Sequence, residues 1–130
     1  MKEKPAIRRI LIFTVLFAVV ASGCGAAKNR YSAKAGIAIP SGIAETKLAD
    51  ILKSPKSYQD KKVLLSGTIE YICPSLCDLT FRQVNDTMKV FPFDYVLPNS
   101  KKGQPVRVYG DVKLSENGVF ISALGVEVKK

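Results

Sequence analysis

The sequence predicts a mainly β domain, in which five strands follow one short helix and a cleaved N-terminal signal segment. Five stretches from residue 61 onward alternate apolar and polar side chains, which is the period of a strand with one buried face. Turn-forming residues separate these stretches. Gly67 and Gly110 stand inside two of them, where glycine favours a bulge or a sharp bend. The length suits one domain with one modest core.

The helix is predicted over residues 46 to 53. Leu48, Ile51 and Leu52 recur at the spacing that places side chains on one helix face. Pro55 is expected to end the helix, because the residue before a proline disfavours helical backbone angles.

The strands are predicted from their alternation and from the turns between them. Residues 85 to 87, Asn-Asp-Thr, form a turn signal, and residues 115 to 118 end in Asn-Gly, a strong hairpin pair. Residues 96 to 104 form an irregular connection with room for one helical turn. The five predicted strands are KKVLLSGTIEYIC, CDLTFRQVN, MKVFPFDY, PVRVYGDVKL and VFISALGVEV.

This arrangement resembles the OB-fold, a five-stranded barrel of short strands. In that fold a strongly curved first strand often carries a mid-strand glycine, which Gly67 supplies. The order of a helix, the pattern K-x-V-x-L-x-G-x-I, a short Cys-bearing loop and four strands is similar to small exported OB-fold proteins of bacteria. The resemblance covers residues 45 to 130 and implies a barrel. Another small β-barrel, or a twisted sheet with one helix, is the alternative.

The N-terminus predicts export. Residues 1 to 23 combine a basic start, an apolar run from Ile10 to Val20 and small residues, which is typical of a secretion signal. The run is shorter than the roughly 20 residues that span a bilayer. Residues 21 to 24, Ala-Ser-Gly-Cys, resemble a bacterial lipobox, which implies cleavage before Cys24 and acylation of Cys24. An ordinary signal peptide that leaves a free Cys24 is the alternative.

The lipobox resemblance also implies a location. Gly25 follows the cysteine where an aspartate would otherwise favour the inner membrane, so the periplasmic face of the outer membrane is expected if two membranes are present. Residues 24 to 44 are rich in Ala, Gly and Ser and are predicted to be a flexible tether. The Ile37-Ala38-Ile39 patch is the part of the tether that is able to dock on the domain.

The charge and the composition limit the function classes. The net charge is +9, but the basic residues form scattered pairs, so a solvated surface is expected and nucleic acid is an unlikely partner for an exported protein. The chain contains no histidine, the commonest metal ligand and near-neutral acid–base group. No catalytic motif is present, so the chain is expected not to be an enzyme.

Cys73 and Cys77 occur in the stretch CPSLC, between the first two predicted strands. If residues 74 to 76 form the loop, the cysteines face each other across a hairpin neck, where opposed Cα atoms lie about 4.5 to 5.5 Å apart. That separation suits a disulfide, which an oxidising compartment would maintain. The sequence therefore predicts a structural disulfide.

A metal or redox role for the same pair is the alternative. Cys-Pro-x-x-Cys looks like the copper site of the Sco family of oxidase assembly factors, but that resemblance covers five residues and lacks the histidine ligand. Zinc would need two further ligands, with Glu70 and Asp78 nearby in sequence, and copper could take Met88 as a third ligand. Otherwise no metal or other cofactor is expected.

Phe91, Phe93 and Tyr95 alternate along the third predicted strand and so share one face. Exposed on an OB-fold, they would form a stacking platform for bases or sugars. Buried, they would fill the barrel core.

Together these features predict a lipid-anchored, non-catalytic binding or accessory module of the bacterial cell envelope. It would contact the membrane through Cys24 and an envelope protein, a glycan or a small ligand through the barrel face. The alternative is a metal-binding or thiol-redox accessory factor acting through Cys73 and Cys77. A structural envelope component is a third possibility.

Overall fold

The computed structural model describes residues 31–130, so the predicted signal segment, residues 1 to 23, and Cys24 lie outside the described residues. Six strands and two short helices form this part of the chain. They are β1 (Tyr31–Gly36), α1 (Leu48–Lys53), α2 (Pro55–Tyr58), β2 (Lys62–Ile72), β3 (Leu79–Gln83), β4 (Asp86–Pro92), β5 (Pro105–Ser115) and β6 (Gly118–Lys129).

Five strands close into a barrel in the order β2-β3-β4-β6-β5, because β5 pairs with both β6 and β2. The β4–β6 pairing is parallel, and the other pairings are antiparallel. The five strands predicted from alternation form this barrel, so the predicted OB-fold-like architecture is confirmed.

Gly67 lies where β2 bends between two neighbouring strands. Thr68, the next residue, pairs with Arg82 of β3 on one side and with Pro105 of β5 on the other. A Cβ atom on Gly67 would lie 2.3 Å from the Arg82 carbonyl oxygen and 2.7 Å from the Phe81 ring. Glycine is therefore required here by the close approach of β3, as the sequence indicated.

Apolar side chains from every barrel strand and from α1 fill the barrel interior. Phe81 is the largest fully buried side chain. The other core residues include Leu48, Ile51, Val63, Leu65, Ile69, Leu79, Met88, Val90, Val106, Val108, Val112, Ile121, Val126 and Val128.

The helical region differs from the prediction in two respects. Helix α1 begins at Leu48, not at the predicted residue 46. The Leu48 backbone N–H donates to the side-chain oxygen of Gln83 in β3 at 2.8 Å, so a residue distant in sequence accepts a hydrogen bond from the helix N-terminus. Pro55 does end α1, but it also begins a second helix, α2. Proline suits the first helical position because its missing N–H needs no partner there.

The predicted tether is partly wrong, because residues 31–36 form strand β1 on the edge of β6. Ile37 then donates its backbone N–H to the Leu124 carbonyl oxygen at 2.9 Å, so its backbone lies against β6, whereas its side chain is 54% exposed and the expected docking of the apolar patch is not seen at this residue. Residues 96 to 104 contain no helix, only a turn in which the Gln104 backbone N–H donates to the Lys101 carbonyl oxygen at 3.3 Å. No helix between residues 31 and 130 has the length and apolar character needed to cross a bilayer.

Candidate functional site

The loop between β2 and β3 holds both cysteines. The Cys73 backbone N–H donates to the Asp78 carbonyl oxygen at 3.0 Å, and the Leu76 N–H donates to the Cys73 carbonyl oxygen at 2.7 Å. Leu76 has a φ of 61°, the left-handed conformation that reverses the chain. The expected hairpin is present, but the residue opposite Cys73 across its neck is Asp78, and Cys77 lies one position inside the turn.

The two cysteines are free thiols in this structure, so the predicted disulfide is absent. Their Sγ atoms lie 2.8 Å apart, whereas a disulfide bond measures about 2.03 to 2.05 Å. The sequence therefore placed the two sulfurs in contact correctly, but it did not determine their oxidation state.

Hydrogen bonds make the two thiols unequal. The Cys77 thiol donates to the Cys73 sulfur, and Ser75 Oγ lies 3.2 Å from the same sulfur. These contacts stabilise the Cys73 thiolate and lower the pKa of Cys73 to about 7. The same hydrogen bond holds the proton on Cys77 and raises the pKa of that thiol. Cys73 is therefore the more nucleophilic partner near neutral pH.

A carboxylate adjoins the thiol pair. The ligand atoms of Cys73, Cys77 and Asp78 all lie within 4.8 Å of one another. The Asp78 carboxylate contacts Cys77 Sγ at 3.7 Å and pairs with the Lys89 ammonium at 3.2 Å. Met88, the third ligand suggested from the sequence, is instead buried in the barrel core.

Glu70, the other carboxylate near the cysteines in sequence, has different partners. Its oxygens lie 3.1 Å from Arg82 Nη1 and 3.7 Å from Lys102 Nζ. It is not part of the thiol–carboxylate group. Three ligand atoms from residues 31–130 therefore converge here, and a tetrahedral zinc site would need one more.

The three aromatic residues predicted to share a face separate into two groups. Phe91 and Phe93 are 39% and 61% exposed, so neither fills the core. Strand β4 ends at Pro92, and Asp94 adopts a positive φ of 66°, which breaks the alternation. Tyr95 consequently packs against the core, and burial raises the pKa of its hydroxyl.

One row of outward side chains crosses four adjacent strands. Register pairs Tyr71 of β2 with Thr80 of β3, Thr80 with Lys89 of β4, and Lys89 with Phe120 of β6. The Lys89 ammonium lies 5.9 Å from the centroid of the Tyr71 ring, a cation–π contact. We refer to Tyr71, Thr80, Lys89, Phe120 and their neighbour Phe91 as the aromatic face.

Phe91 and Phe120 form the apolar part of the aromatic face. Their ring centroids lie 5.4 Å apart at an interplanar angle of 89°, an edge-to-face pair. With Lys89 and Val119 they line a groove of about 550 Å³ that continues to the β5–β6 turn. Sequence reasoning missed Phe120 and Lys89, because only the parallel pairing of β4 with β6 brings them beside Phe91.

The thiol pair and the aromatic face adjoin each other. Asp78 contacts Cys77 on one side and Lys89 of the aromatic face on the other. Leu97, beyond Phe93 and Tyr95, donates its backbone N–H to the Leu76 carbonyl oxygen inside the cysteine loop at 3.2 Å. The two sites predicted separately from the sequence thus form one continuous region of the barrel surface.

The comparisons with known proteins support the fold. No protein-family model matches the chain, and no curated protein matches it. Among solved structures, the chain is similar to the hypothetical protein ygiW from E. coli, with 22% sequence identity and a TM-score of 0.50. The match covers 72% of this chain and 98% of that chain. At this identity the likeness establishes a shared barrel architecture alone.

Proposed function

We propose that this protein is a lipid-anchored, non-catalytic binding module of the bacterial cell envelope. Its ligand surface is the aromatic face, with Phe93 at the margin. The observation that carries the proposal is the row of aromatic and basic side chains that crosses four strands of the barrel on the outside.

Exposed aromatic rings in such a row favour ligand binding over packing. A barrel of this size needs its large side chains inside, yet Tyr71 is 52% exposed and Phe91 is 39% exposed. The row crosses the second and third barrel strands, β3 and β4, which form the surface that OB-folds offer to oligosaccharides and oligonucleotides.

The chemistry of the aromatic face suits a ring that has one apolar face, as a sugar has, and that carries an anionic or hydroxyl group. Tyr71, Phe91 and Phe120 supply faces for stacking. Lys89 lies beside them as the donor, held by the Asp78 carboxylate. An envelope glycan matches this combination, and a protein segment or a small anion matches parts of it.

The anchor is supported by the lipobox resemblance at Cys24 and by the short connection to the barrel. Six residues separate Cys24 from the first residue of β1. Acylated Cys24 would therefore hold the barrel near the periplasmic face of the membrane, where glycan and protein partners of the envelope lie.

Chemical-shift titration tests the proposed ligand surface. The probes are soluble disaccharide-peptide fragments of peptidoglycan and, separately, inorganic phosphate. We expect shifts confined to the amides of the aromatic face, and a loss of affinity of about tenfold in Phe91→Ala, because stacking contributes about 1 to 3 kcal/mol per ring.

Val84→Ala is the matched control, because Val84 is 80% exposed and lies in the turn between β3 and β4. This variant should bind as the wild type does. Shifts that concentrate on the helices, or equal affinity of Phe91→Ala and Val84→Ala, would contradict the proposed surface.

A second candidate function uses the thiol pair. The supporting observation is the 2.8 Å contact between the sulfurs beside the Asp78 carboxylate. In a metal-binding role, the two thiolates would hold copper or zinc, with Asp78 as a third ligand and a solvent molecule or partner side chain as a fourth.

In a thiol-redox role, the substrate is a disulfide of another exported protein. The Cys73 thiolate attacks one substrate sulfur, a mixed disulfide forms, and the other substrate sulfur leaves as a thiolate. Cys77 then loses its proton and attacks Cys73, releasing the second substrate thiolate. The substrate gains two electrons, and Cys73 and Cys77 become a disulfide.

Intact mass of the purified protein separates these roles. Retained metal in native spectra, lost in Cys73→Ser, supports a metal role. The redox role is supported if a mixed disulfide with a substrate protein accumulates in Cys77→Ser and is absent in Cys73→Ser. A stable internal disulfide that excludes alkylation and metal would leave Cys73 and Cys77 as a structural crosslink.

A further inference from the structure

Two lysine pairs that are distant in sequence come together at one end of the barrel. Lys101 and Lys102 precede β5, Lys129 is the last residue of β6, and Lys130 follows it. Gln104 joins them, because its side-chain amide donates to the Lys129 carbonyl oxygen at 3.3 Å and its side-chain oxygen accepts from the Lys101 backbone N–H at 2.6 Å. We refer to these four lysines as the lysine end.

The charge of the lysine end is mostly uncompensated. Lys102 lies 3.7 Å from the Glu70 carboxylate, but its side chain is 72% exposed and Glu70 is already paired with Arg82. Within residues 31–130, the other three lysines of this end form no ion pair. The nearby Glu127 carboxylate is held by Arg107 at 3.2 Å.

The chain that leads to Cys24 leaves the barrel at the same end. Tyr31, the first residue of β1, is paired in register with Lys129. The intervening segment, GAAKNR, carries Lys28 and Arg30 and spans at most about 25 Å when fully extended. An acyl chain on Cys24 would therefore keep the lysine end within a few Debye lengths of the membrane, each about 10 Å.

We propose that the lysine end rests on anionic phospholipid headgroups and orients the barrel on the membrane. The inference deepens the proposed function, since it rests on acylation at Cys24. A cluster of basic residues beside a membrane anchor is attracted to anionic lipid, and each cation near the surface strengthens the association about fivefold. The acyl chains and the four lysines would then attach the protein to the membrane at two places, which together hold more strongly than either alone.

The opposite end of the barrel supplies internal controls. Strand β5 runs from the lysine end to Ser115, and α2 is joined to that far end by a bridge between Gln59 and Val112. Lys53 and Lys56 are exposed in this helical region. They face the same solvent as the lysine end but should not reach the lipid.

Lysine footprinting on vesicles tests the proposal. The full chain, produced with its own signal segment, is purified from membranes and reconstituted into phosphatidylcholine vesicles with or without phosphatidylglycerol. An amine-reactive ester then labels exposed lysines, and peptide mass spectrometry gives the rate at each position. We expect phosphatidylglycerol to slow labelling of the lysine end by about fivefold or more, with reversal at high salt.

Labelling of the lysine end as fast as that of Lys53 and Lys56 in both vesicle types would overturn the inference. The mass of the N-terminal peptide reports acylation of Cys24 separately. An acylated protein with unprotected lysines would therefore refute the lysine end as a lipid contact and still support the proposed anchor at Cys24. If Cys24 carries no acyl chain, the proposed lipid anchor is refuted. Cosedimentation of the full chain with phosphatidylglycerol vesicles then tests whether the lysine end binds anionic lipid without it. Salt-sensitive cosedimentation, weakened by Lys101→Gln with Lys102→Gln, would support the lysine end, and its absence would refute it.

Discussion

Replacement of Tyr95 by phenylalanine is expected to stabilise the domain. The Tyr95 ring packs against the core, and its hydroxyl oxygen is buried without a hydrogen-bond partner in the described part of the chain. A buried polar group that lacks a partner costs about 1 to 3 kcal/mol. Because Tyr95 is only partly buried, we take the lower end of this range and expect Tyr95→Phe to gain about 1 kcal/mol, or about 4 to 8 °C in Tm for a domain of this size.

The gain should increase at alkaline pH. Burial raises the pKa of Tyr95 above the ordinary value of about 10. When a group has a higher pKa in the folded state than in the unfolded state, the folded state is favoured fully at a pH below the unfolded-state pKa. This contribution to the free energy of unfolding is lost as the pH rises from the unfolded-state pKa towards the folded-state pKa. The wild type should therefore lose stability above pH about 10 through this group, whereas Tyr95→Phe has no such loss.

Urea unfolding followed by circular dichroism measures both effects. Tyr71→Phe is the matched control, because the Tyr71 side chain is 52% exposed, and its free energy of unfolding should change by less than about 0.5 kcal/mol. If Tyr95→Phe is less stable than Tyr71→Phe, the Tyr95 hydroxyl has a hydrogen-bond partner, and the expected gain in stability is refuted.

Three further predictions concern the thiols, the bend in β2 and strand β1. In the reduced protein, iodoacetamide should modify Cys73 first, with a half-maximal rate near pH 7, because hydrogen bonds lower its pKa to about 7; equal rates at Cys77 would show that the asymmetry is absent. Gly67→Ala should lower the free energy of unfolding by about 1 to 3 kcal/mol, because its Cβ would lie 2.3 Å from a carbonyl oxygen of β3. Gly103→Asn is the open-space comparison: its φ of 92° strains any side chain, but no atom lies within 4 Å of the added Cβ, so its loss should be the smaller, and a larger loss there than in Gly67→Ala would argue against the close approach. Hydrogen exchange should be slowed at the paired amides of residues 31–36, whereas exchange at unfolded-chain rates would restore the flexible tether.

The barrel strands could be predicted because burial leaves a pattern in the sequence. Alternation identified β2, with Val63 and Leu65 inside, and Asn-Gly identified the β5–β6 turn. Strand β1 could not be found in this way, because YSAKAG has small or polar side chains and joins the barrel through backbone pairing with β6. Pro55 was similarly ambiguous, since a proline can end one helix and begin the next.

The site was predicted in pieces, because its parts meet only through long-range pairing. The cysteine contact followed from local spacing in CPSLC. Phe120 lies 29 positions after Phe91, and the lysine pairs of the lysine end lie about as far apart, so no local pattern relates them. The exposure of Phe93 and the inward turn of Tyr95 depend on Asp94, whose positive φ no alternation rule anticipates.

Photocrosslinking in intact cells tests most directly whether the aromatic face and its margin bind an envelope component. The photoreactive residue p-benzoylphenylalanine replaces Phe93, which is 61% exposed, or Val84 in the β3–β4 turn, which is 80% exposed. We predict a discrete crosslinked species at position 93 that Phe91→Ala diminishes, with none at position 84. No crosslink at position 93, or the same products at both positions, would contradict the proposed binding function.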